Sequence, residues 1–152
     1  MPAITAQQIK ELRDKTNVSV MTCKKALEES EGDMEKAIEF LRKEGVKMAG
    51  EKADRALRAG IIDAYIHNNK QIGVLIELRS ESDFVSRNDD FRILAHEISM
   101  HIAAYSPSDV NELMKQPYIK NPEITVKDYM QEHIQKFGEN IDIVRFARYS
   151  VL

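Results

Sequence analysis

Gln71-Ile72-Gly73-Val74-Leu75-Ile76-Glu77-Leu78-Arg79 is the stretch that decides the fold of this 152-residue chain. Ile72, Val74, Ile76 and Leu78 occupy alternate positions, with Gly73, Leu75, Glu77 and Arg79 between or after them. Side chains of a strand point to its two faces in turn, so this spacing predicts a half-buried β-strand. Immediately upstream, Ile62, Ala64 and Ile66 alternate in the same way and run into Asn68-Asn69. Asparagine tolerates the left-handed backbone of a tight turn, so the two runs predict an antiparallel hairpin turning at the asparagines.

Downstream the period changes to that of a helix. Phe91, Leu94, Ala95, Ile98, Ile102 and Tyr105 hold helical spacing until Pro107, with Asp89 or Asp90 placed to cap the start. A second helix is expected from Thr125 to Phe137, with Val126, Tyr129, Met130 and His133 on one face and Gly138 as its stop. The β-branched and aromatic run Ile141-Asp142-Ile143-Val144-Arg145-Phe146-Ala147-Arg148-Tyr149 predicts a third strand. Residues 60–152 therefore read as an α+β unit, a small antiparallel sheet packed with helices.

Upstream of the hairpin the chain reads as helix. Thr5 with Gln8 forms a capping-box pattern before Ile9 and Leu12. Thr22 is placed to cap a second helix carrying Ala26 and Leu27. Asp33, after Gly32, is placed to cap a third, whose Met34, Ala37, Ile38 and Leu41 follow i, i+3, i+4, i+7 spacing. Gly45 stands where a helix end favours positive φ. The expectation is a three-helix bundle over residues 1–46, a separate connecting helix over 47–59, and the α+β core from 60 onward.

Composition narrows the function classes. Apolar residues make up 43% of the chain, enough for a core, and charged residues 31%. Lys and Arg number 22 against 25 Asp and Glu, a net charge of −3. The basic residues are spread along the chain, with no concentrated patch of the kind nucleic-acid binding needs, so no direct nucleic-acid partner is expected. The single cysteine, Cys23, forms no intrachain disulfide and fits a reducing compartment. No apolar run approaches the roughly 20 residues of a membrane span, and the first residues resemble neither a signal core nor a presequence, so a cytoplasmic protein is expected.

The candidate chemical groups are sparse. His96 and His101 sit five residues apart, about 140° around a helix, and so cannot share a metal from one face. His101, beside Ile98 and Ile102, reads as a core histidine with one hydrogen bond. Cys23 lies near a helix start, where a thiolate would be stabilised, but no histidine is close in sequence and a buried filler is the plainer reading. No glycine-rich phosphate loop occurs among the 6 glycines. No cofactor and no catalytic residue are expected. The unusual segment is Arg79-Ser80-Glu81-Ser82-Asp83-Phe84-Val85-Ser86-Arg87-Asn88-Asp89-Asp90, a polar bridge between strand and helix around one aromatic. Spacing alone favours a loop that folds Phe84-Val85 onto the core. A projecting aromatic among charges is also a common shape for a binding hot spot.

Several stretches resemble the elongation factor Ts family. Leu12-Arg13-Asp14-Lys15-Thr16, Met21-Thr22-Cys23-Lys24-Lys25-Ala26-Leu27-Glu28 and Gly32-Asp33-Met34-Glu35-Lys36-Ala37-Ile38 are similar to its opening motif. Ser82-Asp83-Phe84-Val85 resembles its Thr-Asp-Phe-Val signature, Met100-His101-Ile102-Ala103 its Met-His-Ile/Val-Ala helix, and Gly138-Glu139-Asn140-Ile141 its Gly-Glu-Asn-Ile approach to the last strand. Three departures stand out. Asn17-Val18-Ser19-Val20 replaces the usual Gly-Ala-Gly-Met, Thr22 replaces Asp, and a helical insert expected between Asp109 and Glu112 is almost absent.

The resemblance implies a UBA-like N-terminal bundle and a dimerisation-type core that acts as exchange factor for the GTPase elongation factor Tu, with no covalent chemistry. It places Leu12, Val20 and Met21, and also His101 and Phe137, on the contact surface with that partner. Ser82, Asp83, Phe84 and Val85 take the role of dislodging the partner's Mg²⁺. Similarity to short, single-core forms implies pairing as a homodimer. A rival reading is a UBA-like interaction module without exchange activity, using Val20-Met21 as its apolar patch.

Overall fold

A computed structural model describes residues 3–152 and shows an α+β chain with an N-terminal three-helix bundle. Helix α1 (Ala6–Thr16) opens on the expected capping box. The Thr5 hydroxyl accepts from the Gln8 N–H at 3.2 Å, and Gln8 Oε1 accepts from the Thr5 N–H at 2.9 Å. It closes on Asn17, left-handed at φ 57°, whose N–H donates to Arg13 O at 2.7 Å. Asparagine adopts that conformation more readily than most residues, so it can close the helix without a glycine.

Helix α2 (Val20–Glu29) begins a turn earlier than expected. Its cap is Ser19, not Thr22: the Ser19 hydroxyl accepts from the Thr22 N–H at 3.3 Å. Val20 and Met21 thereby become first-turn helical residues. Asp33 caps α3 (Met34–Lys52) as expected, accepting from the Lys36 N–H at 3.1 Å. Leu12, Val18, Cys23, Ala26, Leu27, Ala37 and Leu41 form the bundle's buried core, with Ile4, Ile9, Met34, Ile38 and Phe40 packed around it.

Helix α3 does not stop at Gly45, and there is no separate connecting helix over 47–59. Residues up to Lys52 complete α3, and Ala59 already belongs to the first strand. The segment after Gly45 contains no proline, and its interior glycines, at a cost of about 1 kcal/mol each, do not end the helix. Gly45 is buried, and a Cβ there would come within 3.1 Å of Gln135 Oε1. Its value is close packing, not a left-handed stop.

The sheet comprises β1 (Ala59–Ile66), β2 (Ile72–Ser80) and β5 (Ile141–Ser150), antiparallel in the order β1-β2-β5. The hairpin turn between β1 and β2 is left-handed at Lys70 (φ 63°), not at the asparagines. Asn69 instead accepts from the Gln71 N–H through its side chain at 3.0 Å. Val74, Ile76 and Leu78 of β2 point inward, where Phe91, Leu94, Ile98 and Ile102 of α5 (Asp89–Tyr105) are fully buried. Helix α5 starts one residue before expectation, capped by Asn88, with Asp89 and Asp90 in its first turn. Arg148 of β5 donates to the carbonyl of Ala103 at the far end of α5, at 3.2 and 2.9 Å.

Between these lie elements too short to be read from periodicity: α4 (Asp83–Ser86), α6 (Val110–Lys115), and the two-stranded ribbon β3 (Pro117–Tyr118) and β4 (Asn121–Thr125). Helix α7 (Val126–Phe137) follows β4, with reciprocal bonds between Thr125 and Asp128 at its start. It ends at Gly138, whose φ is 69°. The chain divides into two compact units. One runs through Ala53 and takes in Gln131–Gly138; the other is Asp54–Met130 with Glu139–Leu152.

Candidate functional site

The polar bridge after β2 folds into a single turn of helix, α4, that presents a bare aromatic ring. Ser82 is extended (φ −125°, ψ 156°) and caps the turn, its hydroxyl accepting from the Val85 N–H at 3.4 Å. A cap requires the residues after it to turn sharply, and with only four helical residues the side chains of Asp83 and Phe84 are thrown outward while Val85 and Ser86 turn in. Val85 is 8% exposed and Phe84 92%. The loop therefore does not fold Phe84 onto the core, as spacing alone favoured; it buries Val85 and releases the ring.

Hydroxyls and carboxylates hold the turn from below. Ser80 Oγ donates to Ser82 O at 2.9 Å, and Ser86 Oγ donates to Asp83 O at 3.3 Å. Glu139 Oε1 accepts from the Ser82 N–H at 3.0 Å, and Glu139 Oε2 from the Ser82 hydroxyl at 2.5 Å. Glu81 Oε2 accepts from the Asn140 N–H at 2.8 Å. Sequence reasoning assigned no role to Glu81 or Glu139. The signal that could have found them is their position, Glu81 one residue and Glu139 two residues beyond the last paired positions Ser80 and Ile141 of neighbouring strands.

The residues assigned to partner contact fall into two groups. Val20 is 48% and Met21 73% exposed, adjacent on the first turn of α2. Phe137, at the end of α7, is half-buried beside the His133 ring and the Lys136 ammonium. Leu12 and His101, in contrast, have no exposed surface. Leu12 is part of the bundle core. His101 Nδ1 accepts from the Ile119 N–H at 3.1 Å, and its Nε2 is 2.9 Å from Gln116 Oε1. With Nδ1 occupied as acceptor, the ring carries its proton on Nε2 and donates it to Gln116. Tyr105 stacks on the ring at 4.7 Å, and Tyr118, itself stacked on Tyr129, lies beyond at 6.1 Å. Burial pushes the His101 pKa below its ordinary value, against the opposing effect of the Gln116 bond. His101 is thus a neutral core histidine pinning the β3–β4 ribbon to α5, and none of its partners lies in the Phe84 turn.

Cys23 is likewise buried, its thiol donating weakly to Val18 O at 3.6 Å, and burial pushes its pKa up. It is a core filler and not a stabilised thiolate. No helix among the described residues is long and apolar enough to cross a membrane.

The outer face of the sheet is apolar at several positions. Ile62, Ile66 and Leu75 are half or more exposed, and Tyr149 is 77% exposed. Among them Glu77 takes an arginine on each oxygen, Arg79 Nε at 2.6 Å and Arg145 Nε at 2.7 Å. Those two hydrogen bonds hold its pKa below the ordinary carboxylate range.

The elongation factor TS family model matches residues 81–151, a span that runs from the approach to the Phe84 turn to just past β5. The elongation factor Ts of Carboxydothermus hydrogenoformans is 41% identical over 193 residues, covering 97% of this chain and 89% of that protein. That of Acetivibrio thermocellus is 38% identical over 191 residues, at 96% and 89% coverage. That of Thermodesulfovibrio yellowstonii is 41% identical over 193 residues, at 98% and 96%. Aligning 193 positions to a chain of 152 residues leaves at least 41 positions that this chain does not fill. Identity at this level across nearly the whole chain places the protein in the elongation factor Ts family of translation elongation factors.

Proposed function

We propose that this chain accelerates nucleotide release from elongation factor Tu by inserting Phe84 into the partner near its Mg²⁺ site. The observation that carries the reading is the 92% exposure of Phe84 on a turn held through the Ser82 N–H and the carbonyls of Ser82 and Asp83. Leaving a phenyl ring in water forfeits about 2 kcal/mol that burial in a partner would recover. Exchange needs no covalent step. A protein that binds the empty GTPase more tightly than the nucleotide-bound form weakens nucleotide binding by the same factor. Displacing the cation removes the largest local counter-charge to the phosphates.

In this reading Asp83, at the start of the turn, orients the ring against the partner's backbone, and Ser82 and Val85 hold it there. Val20 and Met21 supply an apolar contact from the bundle, and Phe137 adds a half-buried ring. Leu12 and His101 act from behind the surface, through the residues packed on them. Protein synthesis places the pair in the cytoplasm. The exposed Ile62, Ile66 and Leu75 face of the sheet is the surface through which two copies would pair.

Release of labelled GDP from elongation factor Tu, with wild-type chain and with Phe84→Ala, tests the proposal. The variant should fold normally and release nucleotide roughly thirtyfold more slowly, the factor that corresponds to losing about 2 kcal/mol of burial. Equal release rates with an intact circular-dichroism spectrum would remove it. The exposed Val20-Met21 pair also suits a plain interaction module. In that case Met21→Ser would abolish binding while Phe84→Ala changed nothing.

A further inference from the structure

Backbone pairing between β2 and β5 ends where Ser80 faces Ile141. Beyond that point one strand enters the Phe84 turn and the other leads back to Gly138. The next two residues on each side nevertheless stay bonded. Glu139 accepts the N–H and hydroxyl of Ser82, while Glu81 accepts the N–H of Asn140. Each segment gives one carboxylate and receives one, so side-chain oxygens continue the ladder where carbonyls no longer reach. A third segment joins the same group: Asn140 Nδ2 donates to Arg55 O at 3.1 Å, and the Arg55 guanidinium lies 3.6 Å from Glu81 Oε1.

We propose that this reciprocal exchange of carboxylates, with Glu139 as its principal member, is the positioning element that sets the direction in which the turn presents Phe84. The inference rests on the reading that Phe84 is the group entering the partner. A ring so exposed has no packing to orient it, so its direction is inherited from the backbone beneath. Helix α4 has four residues, far below the length at which a helix persists by itself. Its geometry therefore depends on the cap. The Ser82 hydroxyl has one proton, and that proton goes to Glu139, which leaves a lone pair to accept from the Val85 N–H. Glu139 thus dictates the rotamer of the cap as well as holding its backbone.

Without Glu139, the bonds from Ser80 and Ser86 to the turn remain, so the turn stays folded but loosely aimed. That separates positioning from stability. Glu139 touches no partner in this scheme and works only through Phe84.

A double-mutant cycle on GDP release from elongation factor Tu tests this, using Glu139→Ala and Phe84→Ala singly and together. Glu139→Ala alone should slow release roughly tenfold, the factor matching the cost of fixing about one residue's backbone at the moment of binding. In the Phe84→Ala background it should slow release no further, because there is no ring left to aim. Glu139→Gln, which still accepts the Ser82 N–H, should recover part of the rate. If the two losses multiply, Glu139 serves the fold or another contact, and the inference is overturned. If Glu139→Ala is at wild-type rate while Phe84→Ala is slow, the inference fails and the function stands. If Phe84→Ala is at wild-type rate, both fail. Should Glu139→Ala not fold, Ser82→Ala removes only the hydroxyl link, and the same cycle decides with a smaller first factor.

Discussion

Acidification should loosen this protein through His101 before its carboxylates are protonated. The folded chain holds the imidazole neutral, with Nε2 donating to Gln116 and Nδ1 accepting from Ile119. A second proton must go onto Nδ1, where the Ile119 N–H already points. Tyr105 and Tyr118 stack over the ring, and the Glu97 carboxylate at the Tyr118 hydroxyl is already paired with Lys120. The unfolded chain takes up its proton near 6.5 and the folded chain only below that. Between the two values the unfolded state binds more protons, so stability falls as pH falls through 6.5 and levels off beneath the folded pKa. The steepest slope one group can give is about 1.4 kcal/mol per pH unit, so the loss between pH 6.5 and 5 is at most about 2 kcal/mol. Urea unfolding at pH 7.5, 6.5, 5.5 and 5 should be followed for wild type and for His101→Phe. The variant leaves Ile119 and Gln116 unpaired and should be weaker by roughly 1–3 kcal/mol at neutral pH. That difference should narrow as the pH falls, while the other histidines and the carboxylates, common to both proteins, cancel. A difference constant across the range would refute the neutral buried state of His101.

Two further outcomes follow from the geometry. Gly138→Ala, at φ 69° with no atom within 4 Å of the new methyl, meets no clash and should cost about 1 kcal/mol from left-handed strain alone, seen as a lower urea midpoint. Met21→Ser, on a side chain 73% exposed, should leave the melting temperature within about 1 °C of wild type while weakening association with elongation factor Tu in a direct binding measurement.

Much of the fold was legible in the chain. Alternation at Ile72–Leu78 and helical spacing at Phe91–Tyr105 are periodic signals long enough to survive any tertiary context, and both elements form where the pattern lies. Caps carried by a hydroxyl or carboxylate with a partner three residues on, Thr5 and Asp33, were equally readable. Single-residue signals were not. Gly45 resembles a stop only if the chain beyond it cannot stay helical, and its actual use, close approach to Gln135 ninety residues away, shows only in the fold. Thr22 reads as the α2 cap from sequence, but Ser19, three residues earlier, takes that place, its non-helical backbone (ψ 153°) letting its hydroxyl accept from the Thr22 N–H.

The site divides in the same way. The order of residues alone determined that a polar bridge with one aromatic joins strand to helix, and that its neighbours match a known family. Which way the aromatic points was decided only in three dimensions, because Glu139, which bonds Ser82, lies 57 positions along the chain and is brought to the turn by the β2–β5 pairing. His101 shows the opposite outcome: its place beside Ile98 and Ile102 already read as core, and the fold buries it there, while the Ile119 N–H it accepts comes from the β3–β4 ribbon, whose two short strands carry no periodicity to announce it. Local patterns determine where a backbone turns or runs straight. Exposure is a property of whatever distant segment packs against a side chain, and that is settled by the tertiary fold.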